Sequence, residues 1–312
     1  MPAVCGPRFA LGLATLTAGC ACALPASGAL AVTRSVHGSA RSTSRPVTRH
    51  KRTPQFADPL STSAMSALIT SRTGEIAIGV TNLLNHRTYL WNGGSEQDTA
   101  SIIKVDILET LLYQLHGGPI PGDDVPTAVG MIQDSDNDDA TSLWDQDGGA
   151  PAVAAYDRLV GMDQTTPDAA WGLTTTSVGD QLELLDELIA THGLIDQGAQ
   201  RFALGLMENV TPSQAWGVSG GVPSGVSVAL KNGWLAFGGG WHINSIGRIK
   251  GDGRQYLIAV LTSFDPSEAY GIDTISAISS LVWRALAPRT RRSGRGRRDR
   301  GTRIGGAARH AT

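Results

Sequence analysis

The sequence predicts an α+β fold in which an antiparallel, five-stranded sheet is flanked by helices and accompanied by an all-helical lobe. Three observations lead to this prediction. Two segments early in the chain and three segments late in the chain are predicted to be strands. Most of the residues between these groups have the three- and four-residue periodicity of helices. Because strands and helices are segregated along the chain, the pattern differs from the strand–helix alternation of a parallel sheet.

The first elements form a short helix and a hairpin. A helix is predicted to begin after Pro59, with Leu60, Met65, Leu68 and Ile69 facing a core. Alternating residues over Glu75–Leu83 and Thr88–Trp91 predict two strands, and Asn85-His86 supplies the turn between them. These strands are expected to pair as neighbours in the sheet.

The middle of the chain is helical and the end returns to strands. Helices are predicted over residues 125–162, with breaks at 134–139 and 148–149, before a polar loop over 163–176. Ser177 and Asp180 resemble a capping box that opens another helix, and Gly193 is its predicted end. Three strands are predicted at Val226–Gly233, Trp241–Ile249 and Tyr256–Thr262, and a last helix at Tyr270–Leu286.

The net charge of the chain is only −2, but its charged residues are distributed unevenly along the sequence. Residues 1–52 hold seven basic residues and no acidic residue, while residues 284–312 hold ten Arg and one acid, Asp299. Residues 53–283 have nine basic and 27 acidic residues, so the predicted domain carries about −18. The three cysteines, Cys5, Cys20 and Cys22, precede the domain, which excludes a disulfide or a cysteine nucleophile within it.

The N-terminus predicts export. Residues 1–31 have the Arg8 and the apolar, small-residue run of a signal peptide. Two outcomes fit the segment: cleavage to a secreted form, or lipid attachment at Cys20, because residues 16–20 resemble a lipobox. Both place the domain outside the cytoplasm, either secreted or lipid-anchored at the cell envelope.

Two flanking segments are predicted to be disordered around a domain at residues 58–287. Residues 32–57 form a basic linker, and residues 288–312 form a tail rich in Arg and Gly. Behind an export signal, anionic envelope polymers or lipids are the expected partners of this tail, and nucleic acid is not expected. The alternative is a solvated tail drawn to its own acidic domain. The protein is expected to be a monomer.

The helix predicted over residues 99–115 carries a nucleophile and a base. Ser101 and Lys104 lie one turn apart at its start, within mutual reach. A buried lysine has a lowered pKa and can take a proton from the serine hydroxyl, as arginine cannot. The free N–H groups of the helix start favour developing negative charge. This arrangement is typical of nucleophilic catalysis.

Two further motifs complete a constellation. Ser135-Asp136-Asn137 lies in the break between helices, and Lys231-Asn232-Gly233 lies at the end of a strand. Only four lysines occur in the chain, at positions 51, 104, 231 and 250, and two of them fall in these motifs. Over roughly residues 58–287, motif order and element order resemble the class A β-lactamases and related penicillin-recognising serine hydrolases.

The resemblance implies a β-lactamase/transpeptidase-like fold and a role for each motif. Ser101 would be acylated after Lys104 removes its proton, and Ser135 would pass a proton to the leaving nitrogen. Asn137 would hold the substrate amide, while Lys231 and Asn232 would face the substrate carboxylate. Gly233 would leave room for an extended substrate. The backbone N–H groups of Ser101 and Trp234 would form the oxyanion hole. No metal or other cofactor is expected.

The chain departs from the family pattern in three places. Asn232 replaces the usual Thr or Ser of the third motif, and Trp234 is expected to crowd the groove. In the loop, Thr166 stands where these β-lactamases carry the glutamate that activates the hydrolytic water. Asp163 and Asp168 are candidate substitutes, or else solvated loop carboxylates. We therefore expect Ser101 to be acylated and the resulting acyl-enzyme to be hydrolysed slowly.

The predicted function is an exported serine hydrolase that opens β-lactams or D-alanyl peptides through an acyl-Ser101 intermediate. The alternative is a catalytically idle relative that binds peptidoglycan or a partner protein. Residues 134–139 with Asp145 also mimic a calcium loop, but Asp139 occupies the position that needs Gly. His242 could reach the site from its strand, or serve only in packing.

Overall fold

The computed structural model describes residues 56–288. The predicted signal peptide, Cys20, most of the basic linker and nearly all of the Arg-rich tail lie outside these residues, so those expectations stay predictions. Within residues 56–288, no helix combines the length and the apolar character that a membrane span requires.

The described chain forms eight α-helices and seven strands. The helices are α1 (Ser63–Thr70), α2 (Lys104–Gln114), α3 (Asp124–Val129), α4 (Asn137–Asp147), α5 (Gly149–Val160), α6 (Val178–Glu187), α7 (Gln197–Glu208) and α8 (Glu268–Ala285). The strands are β1 (Glu75–Asn82), β2 (Arg87–Trp91), β3 (Gln97–Asp98), β4 (Thr175–Thr176), β5 (Ser227–Phe237), β6 (Gly240–Gly251) and β7 (Arg254–Asp265).

Five of the strands form one antiparallel sheet in the order β2-β1-β7-β6-β5. Strand β7 is central, and β5 is an edge strand whose free side borders the site described below. Strands β3 and β4 form a separate two-stranded pair. The predicted α+β fold, with its five-stranded antiparallel sheet, flanking helices and helical lobe, is confirmed.

The central strand separates two apolar cores because its residues alternate between the faces of the sheet. Leu257, Ala259 and Leu261 face the helical lobe, where α2 is the most enclosed helix. Ile258 and Val260 face the layer of α1 and α8. Helix α2 is thus buried on most sides, as its sequence pattern predicts.

The boundaries of several predicted elements differ from the structure. Strands β5, β6 and β7 are longer than predicted because two-residue turns join them directly, at 238–239 and at 252–253. Helix α6 ends near Glu187 rather than at Gly193. The Glu187 carboxylate accepts a hydrogen bond from the Ile195 N–H, so the chain after the helix folds back around that side chain.

One helix has no counterpart in the sequence-based assignment. Helix α7 begins at Asp196, whose carboxylate accepts hydrogen bonds from two N–H groups of the first turn. Its apolar residues, including Ala203 and Met207, pack into the core of the helical lobe.

Two residues of the sheet hold the segment that precedes α2. The Asn244 side-chain amide donates to the carbonyls of Asp98 and Thr99, at 2.7 and 3.0 Å. Gly233 pairs with Asn244 across β5 and β6. A Cβ added at Gly233 would lie 2.7 Å from both Ser101 N and Thr99 O. The backbone before α2 therefore rests directly on the sheet, where only glycine fits.

This close approach predicts that Gly233→Ala is destabilising. The added methyl group meets backbone atoms that cannot rotate away, so we expect the free energy of unfolding to fall by about 1–3 kcal/mol. Denaturant-induced unfolding measures this change. The matched control is Gly205→Ala on α7, where an added Cβ meets nothing within 4 Å. Equal stability of the Gly233→Ala variant and the wild type would contradict the packing described.

Buried carboxylates are a second feature of the helical lobe. The side chains of Asp106 on α2 and Asp157 on α5 are fully enclosed, and none of their carboxylate oxygens has a hydrogen-bond partner among the described residues. Burial, and next the Asp157 charge, raise the pKa of Asp106 well above its usual range. Burial, reinforced by Asp180, raises the pKa of Asp157 from 3.8 to about 7.

These shifts predict a pH-dependent stability. A raised carboxyl pKa means that the folded protein keeps a proton that the unfolded chain releases, so stability should fall as pH rises from about 4 to about 7. Asp157→Asn removes the charge and is expected to raise the free energy of unfolding at pH 8 by about 1–3 kcal/mol.

Thermal and denaturant unfolding at pH 5 and pH 8 measure this effect. Asp163→Asn, in an exposed loop, is the control and should change stability by less than about 0.5 kcal/mol. A destabilised Asp157→Asn variant at pH 8 would show that the carboxylate has a favourable partner in solution.

Candidate active site

Ser101 lines a groove of about 300 Å³. It belongs to a short 3-10 turn, Ala100–Ile103, that leads into α2, and its side chain is half-buried. Ala100 has a positive φ of 47°, an uncommon conformation for a residue with a Cβ. Nine residues line the groove: Ala100, Ser101, Asn137, Ala170, Trp171, Gly172, Leu173, Trp234 and Leu235.

The Lys104 amine is fully buried beside this groove. It donates to the Ser135 carbonyl at 2.7 Å, to the Ser135 Oγ at 3.2 Å and to the Asn137 Oδ1 at 2.8 Å. Burial lowers the pKa of Lys104 to about 8, against the opposing charges of Asp136 and Asp139. A substantial fraction of this amine is therefore neutral near physiological pH and can accept a proton.

The Lys231 amine reaches the same serine from β5. It donates to the Ser135 Oγ at 2.9 Å and to the Asn232 carbonyl at 2.9 Å. Burial, and next the charge of Lys104, lower the pKa of Lys231 well below its usual range. Two amines thus donate to one hydroxyl, which both lysines polarise. Ser135 has a positive φ of 61° at the end of the π-helical turn Gly130–Asp134, and this geometry turns its side chain toward them.

The structure brings most of the predicted site residues together. Lys104, Ser135, Asn137 and Lys231 form one hydrogen-bonded network, and Asn137 and Ser101 line the same groove. In the part of the chain that the structure describes, no hydrogen bond joins the Ser101 hydroxyl to the Lys104 amine. Catalytic hydrogen bonds are often long in unliganded sites, so this arrangement is compatible with a serine and base that engage when substrate binds.

The edge of β5 supplies backbone donors. The two-residue turn at 238–239 makes Phe237 and Gly240 a hydrogen-bonded pair, so the backbone groups of Asn232 and Trp234 point away from β6. The hydrogen bond from the Lys231 amine to the Asn232 carbonyl agrees with this orientation, because the carbonyl points away from β6. The Trp234 N–H therefore points to the open edge, next to the Ser101 backbone that packs on Gly233.

Asn232 does not have the position that a substrate-binding role requires. Its side chain is buried and donates to the carbonyls of Gln214 and Trp216, while its oxygen accepts from the Ser245 hydroxyl at 2.5 Å. These bonds fix the loop before β5 instead of leaving the amide free. A Cβ on Gly233 would meet the Ser101 backbone, so glycine is needed here for packing, and the predicted role of Gly233 beside an extended substrate stays a prediction.

The loop over residues 161–176 presents an aromatic ring to the site. The Trp171 ring centroid lies 5.0 Å from the Lys104 Nζ, and the Trp171 indole N–H donates to the Thr141 hydroxyl at 3.2 Å. Thr166 is exposed and pairs through its backbone with Thr175. From this loop it is Trp171, not Thr166, that covers Lys104.

The two loop carboxylates proposed as substitutes for the missing glutamate are solvent-exposed. Asp168 accepts a hydrogen bond from the Ala170 N–H, within its own loop. Asp163 is likewise exposed. Neither hydrogen-bonds to Lys104 in the described part of the chain. Their interpretation as solvated loop carboxylates fits these positions.

Two site residues escaped the sequence analysis. Trp171 has no predicted contact, although a tryptophan in a polar loop is itself a signal. Asn244 is a buried polar residue in a strand, and its contacts with Asp98 and Thr99 depend on tertiary structure. His242 lies against Asp98, with Nδ1 3.0 Å from the carboxylate but without hydrogen-bond alignment, and packs on Phe264, which indicates a role in packing.

No three acidic, histidine or cysteine side chains are clustered for metal binding within residues 56–288. In the run that mimics a calcium loop, Asp136 instead caps α4 by accepting from the N–H groups of Asp138 and Asp139. Its oxygen is therefore used by the backbone.

Comparison with known proteins gives consistent results. A model of the beta-lactamase enzyme family matches residues 125–286, just over half of the chain. This match includes Ser135 and Lys231 and begins after Ser101. A protein named "Putative lipoprotein LppW" from Mycobacterium tuberculosis is 31% identical over 184 residues, which cover 54% of this chain. The chain spans 57% of that relative's own length.

Solved structures share the fold at low sequence identity. A class A beta-lactamase from Bacteroides cellulosilyticus is 17% identical with a TM-score of 0.63, covering 71% of this chain and 95% of that chain. A class A beta-lactamase from Mycobacterium abscessus is 21% identical with a TM-score of 0.59, covering 70% and 96%. These similarities establish the class A beta-lactamase fold, and with the family match they show that the chain belongs to the beta-lactamase enzyme family.

Proposed function

We propose that this protein is a serine hydrolase that forms an acyl-enzyme on Ser101 and acts on β-lactams or D-alanyl peptides. The observation that carries the proposal is the convergence of the Lys104 and Lys231 amines on the Ser135 hydroxyl, beside the groove that contains Ser101. Family membership and fold support a hydrolase in general.

Acylation would use this network as a proton path. The neutral Lys104 amine takes the Ser101 proton, and the Ser101 Oγ attacks the acyl carbonyl. The N–H groups of Ser101 and Trp234 stabilise the oxyanion, a contribution of about 3 kcal/mol per donor in comparable sites. Ser135 then passes a proton to the leaving group and regains one from Lys104. The hydrogen bond from the Lys231 amine holds the Ser135 hydroxyl in place.

Deacylation needs a base that activates the attacking water. In the loop over residues 161–176, no side chain that could act as such a base contacts Lys104. The Trp171 ring occupies the space over the amine, and threonine cannot serve as a base near neutral pH. We therefore propose a long-lived acyl-enzyme.

Labelling with a fluorescent penicillin tests acylation and deacylation together. We expect Ser101 to carry the label and to keep it for hours after excess reagent is removed, since water is poorly activated. Intact-protein mass spectrometry measures both steps, and Ser101→Ala should remain unlabelled. Turnover of a chromogenic cephalosporin at the rate of an ordinary β-lactamase would contradict slow deacylation.

The pKa of Lys104 predicts the pH dependence of acylation. Because only the neutral amine accepts the Ser101 proton, the acylation rate should rise with pH around a midpoint of about 8 and then level off. Labelling reactions quenched at timed intervals, at pH values between 6 and 10, measure how the acylation rate depends on pH. Lys104→Arg keeps the charge but cannot act as base, and we expect it to slow acylation at least about 100-fold. A rate that is flat across this range would remove Lys104 from the role of base.

The second candidate is a binding function: the protein would be a catalytically idle relative of the hydrolases that binds peptidoglycan or a partner protein. The absence of a hydrogen bond between Ser101 and Lys104 in the described structure favours it. In that case no acyl adduct would form, and Ser101→Ala would bind its ligand as well as the wild type does.

An envelope location is proposed from the relative named as a lipoprotein and from the apolar N-terminal segment. Lipid attachment at Cys20 and binding of the Arg-rich tail to anionic lipid or polymer belong to the same proposal. Radiolabelled palmitate incorporated into the wild type but not into Cys20→Ser would support the anchored form.

A further inference from the structure

A second cavity, of about 570 Å³, lies beside α7 at one end of the sheet. Helix α7 contributes Arg201 and Leu204 to its wall, and strand β6 contributes Arg248. On β6, Arg248 lies four residues beyond Asn244, which is roughly 13 Å along the strand. Among the described residues, none lines both this cavity and the Ser101 groove. The two cavities are therefore separate.

The surroundings of Arg248 offer its side chain few acceptors. The side chain is on the same face of the sheet as Ile246, which belongs to the core of the helical lobe. The residues paired with it on the neighbouring strands, Ala229 and Leu257, are apolar. The Arg248 Nε is fully buried and has no hydrogen-bond partner among the described residues. A partly enclosed guanidinium group is costly to leave in this state, so it is available to an anionic ligand.

The carboxylates near the cavity do not neutralise its two arginines. Neither Arg201 nor Arg248 forms an ion pair within residues 56–288. Burial lowers the pKa of Arg248 against the charge of Glu208, but the Glu208 carboxylate already accepts a hydrogen bond from a serine of β5 at 2.6 Å. Asp186 is the only acid among the described lining residues, and His86, which also lines the cavity, partly offsets its charge.

Apolar side chains form another part of the wall. They are Leu83, Leu188, Ile189 and Leu204. A guanidinium group matches a carboxylate through two parallel hydrogen bonds, and apolar side chains favour a hydrocarbon chain. The volume of the cavity is within the range of small-molecule sites. Charge and apolar surface together fit a ligand that has an anionic head and an apolar body.

We propose that this cavity binds an amphipathic carboxylate, whose head pairs with Arg248 and Arg201 while its apolar chain lies against the leucine and isoleucine side chains. The binding is non-covalent. It does not depend on the acyl-Ser101 chemistry proposed above, so each proposal can fail without the other.

Three probes separate the parts of this ligand. Octanoate has both the charge and the chain, 1-octanol has the chain without the charge, and inorganic phosphate has the charge without the chain. We expect octanoate to bind the full-length protein at least about tenfold more tightly than either of the others, as measured by isothermal titration calorimetry. Equal affinity for octanol would remove the role of charge, and equal affinity for phosphate would remove the role of the apolar wall. Either result, or no binding of octanoate, would overturn the proposal.

Replacing one arginine locates the binding. We expect Arg248→Gln to weaken octanoate binding at least about tenfold, because the partly enclosed guanidinium group is lost. Arg284→Gln is the matched control: Arg284 is exposed on α8, on the other side of the sheet, and the same charge is removed. The Arg-rich tail is present in every protein compared, so a difference between the variants reports on the cavity. Equal affinities of the two variants would contradict the proposed site.

Two further variants keep the test decisive if Arg248→Gln fails to fold. Arg201 is exposed, and Arg201→Gln is expected to weaken octanoate binding about threefold. Asp186→Asn removes the negative charge that lines the cavity and is expected to strengthen binding at least about twofold. A purely structural role of these residues would not give changes of opposite sign. Unchanged affinity in both variants would overturn the proposal.

Discussion

The site depends on two buried lysine amines that share one serine hydroxyl. Lys104 arrives from the start of α2 and Lys231 from the edge strand β5, and both donate to the Ser135 Oγ. Burial lowers the pKa of both amines, and the charge of Lys104 lowers the pKa of Lys231 further. This interaction links the helical lobe to the sheet and gives the proposed base a lowered pKa.

Holding the amines in place requires support from the sheet. Gly233 lets the Ser101 backbone rest on β5, and Asn244 binds the carbonyls just before it. Ser101, the proposed nucleophile, is thereby positioned by backbone contacts. The loop that carries Trp171 closes the other side of the groove through its bond to Thr141.

Much of this arrangement was predictable from local patterns. The periodicity of residues 102–115, the alternation in β1, and the spacing of Ser101 and Lys104 all reflect short-range geometry, and the structure confirms the elements they predict. Ser135 and Lys231 were identified through motifs, and their contacts agree with that identification. Helix α7 was not identified, although Asp196 supplies a cap at its start and Ala203 and Met207 lie on one apolar face.

The roles of Asn232 and Trp171 were not predictable in the same way. Whether Asn232 faces a substrate or the loop before β5 depends on which face of the strand its neighbours cover, and that is set by tertiary packing. Whether Trp171 or Thr166 covers Lys104 depends on the path of a loop that has little regular structure.

The two-residue turn between β5 and β6 has a consequence for how the family can vary. Strand side chains and backbone groups change sides at every residue, so an insertion of one residue at 238–239 that neither a longer loop nor a bulge absorbs would shift the pairing by a single step. Lys231 would then point to the opposite face of the sheet, and the N–H of Trp234 would turn inward to β6. The length of this hairpin tip is therefore linked to the orientation of both residues at the proposed site.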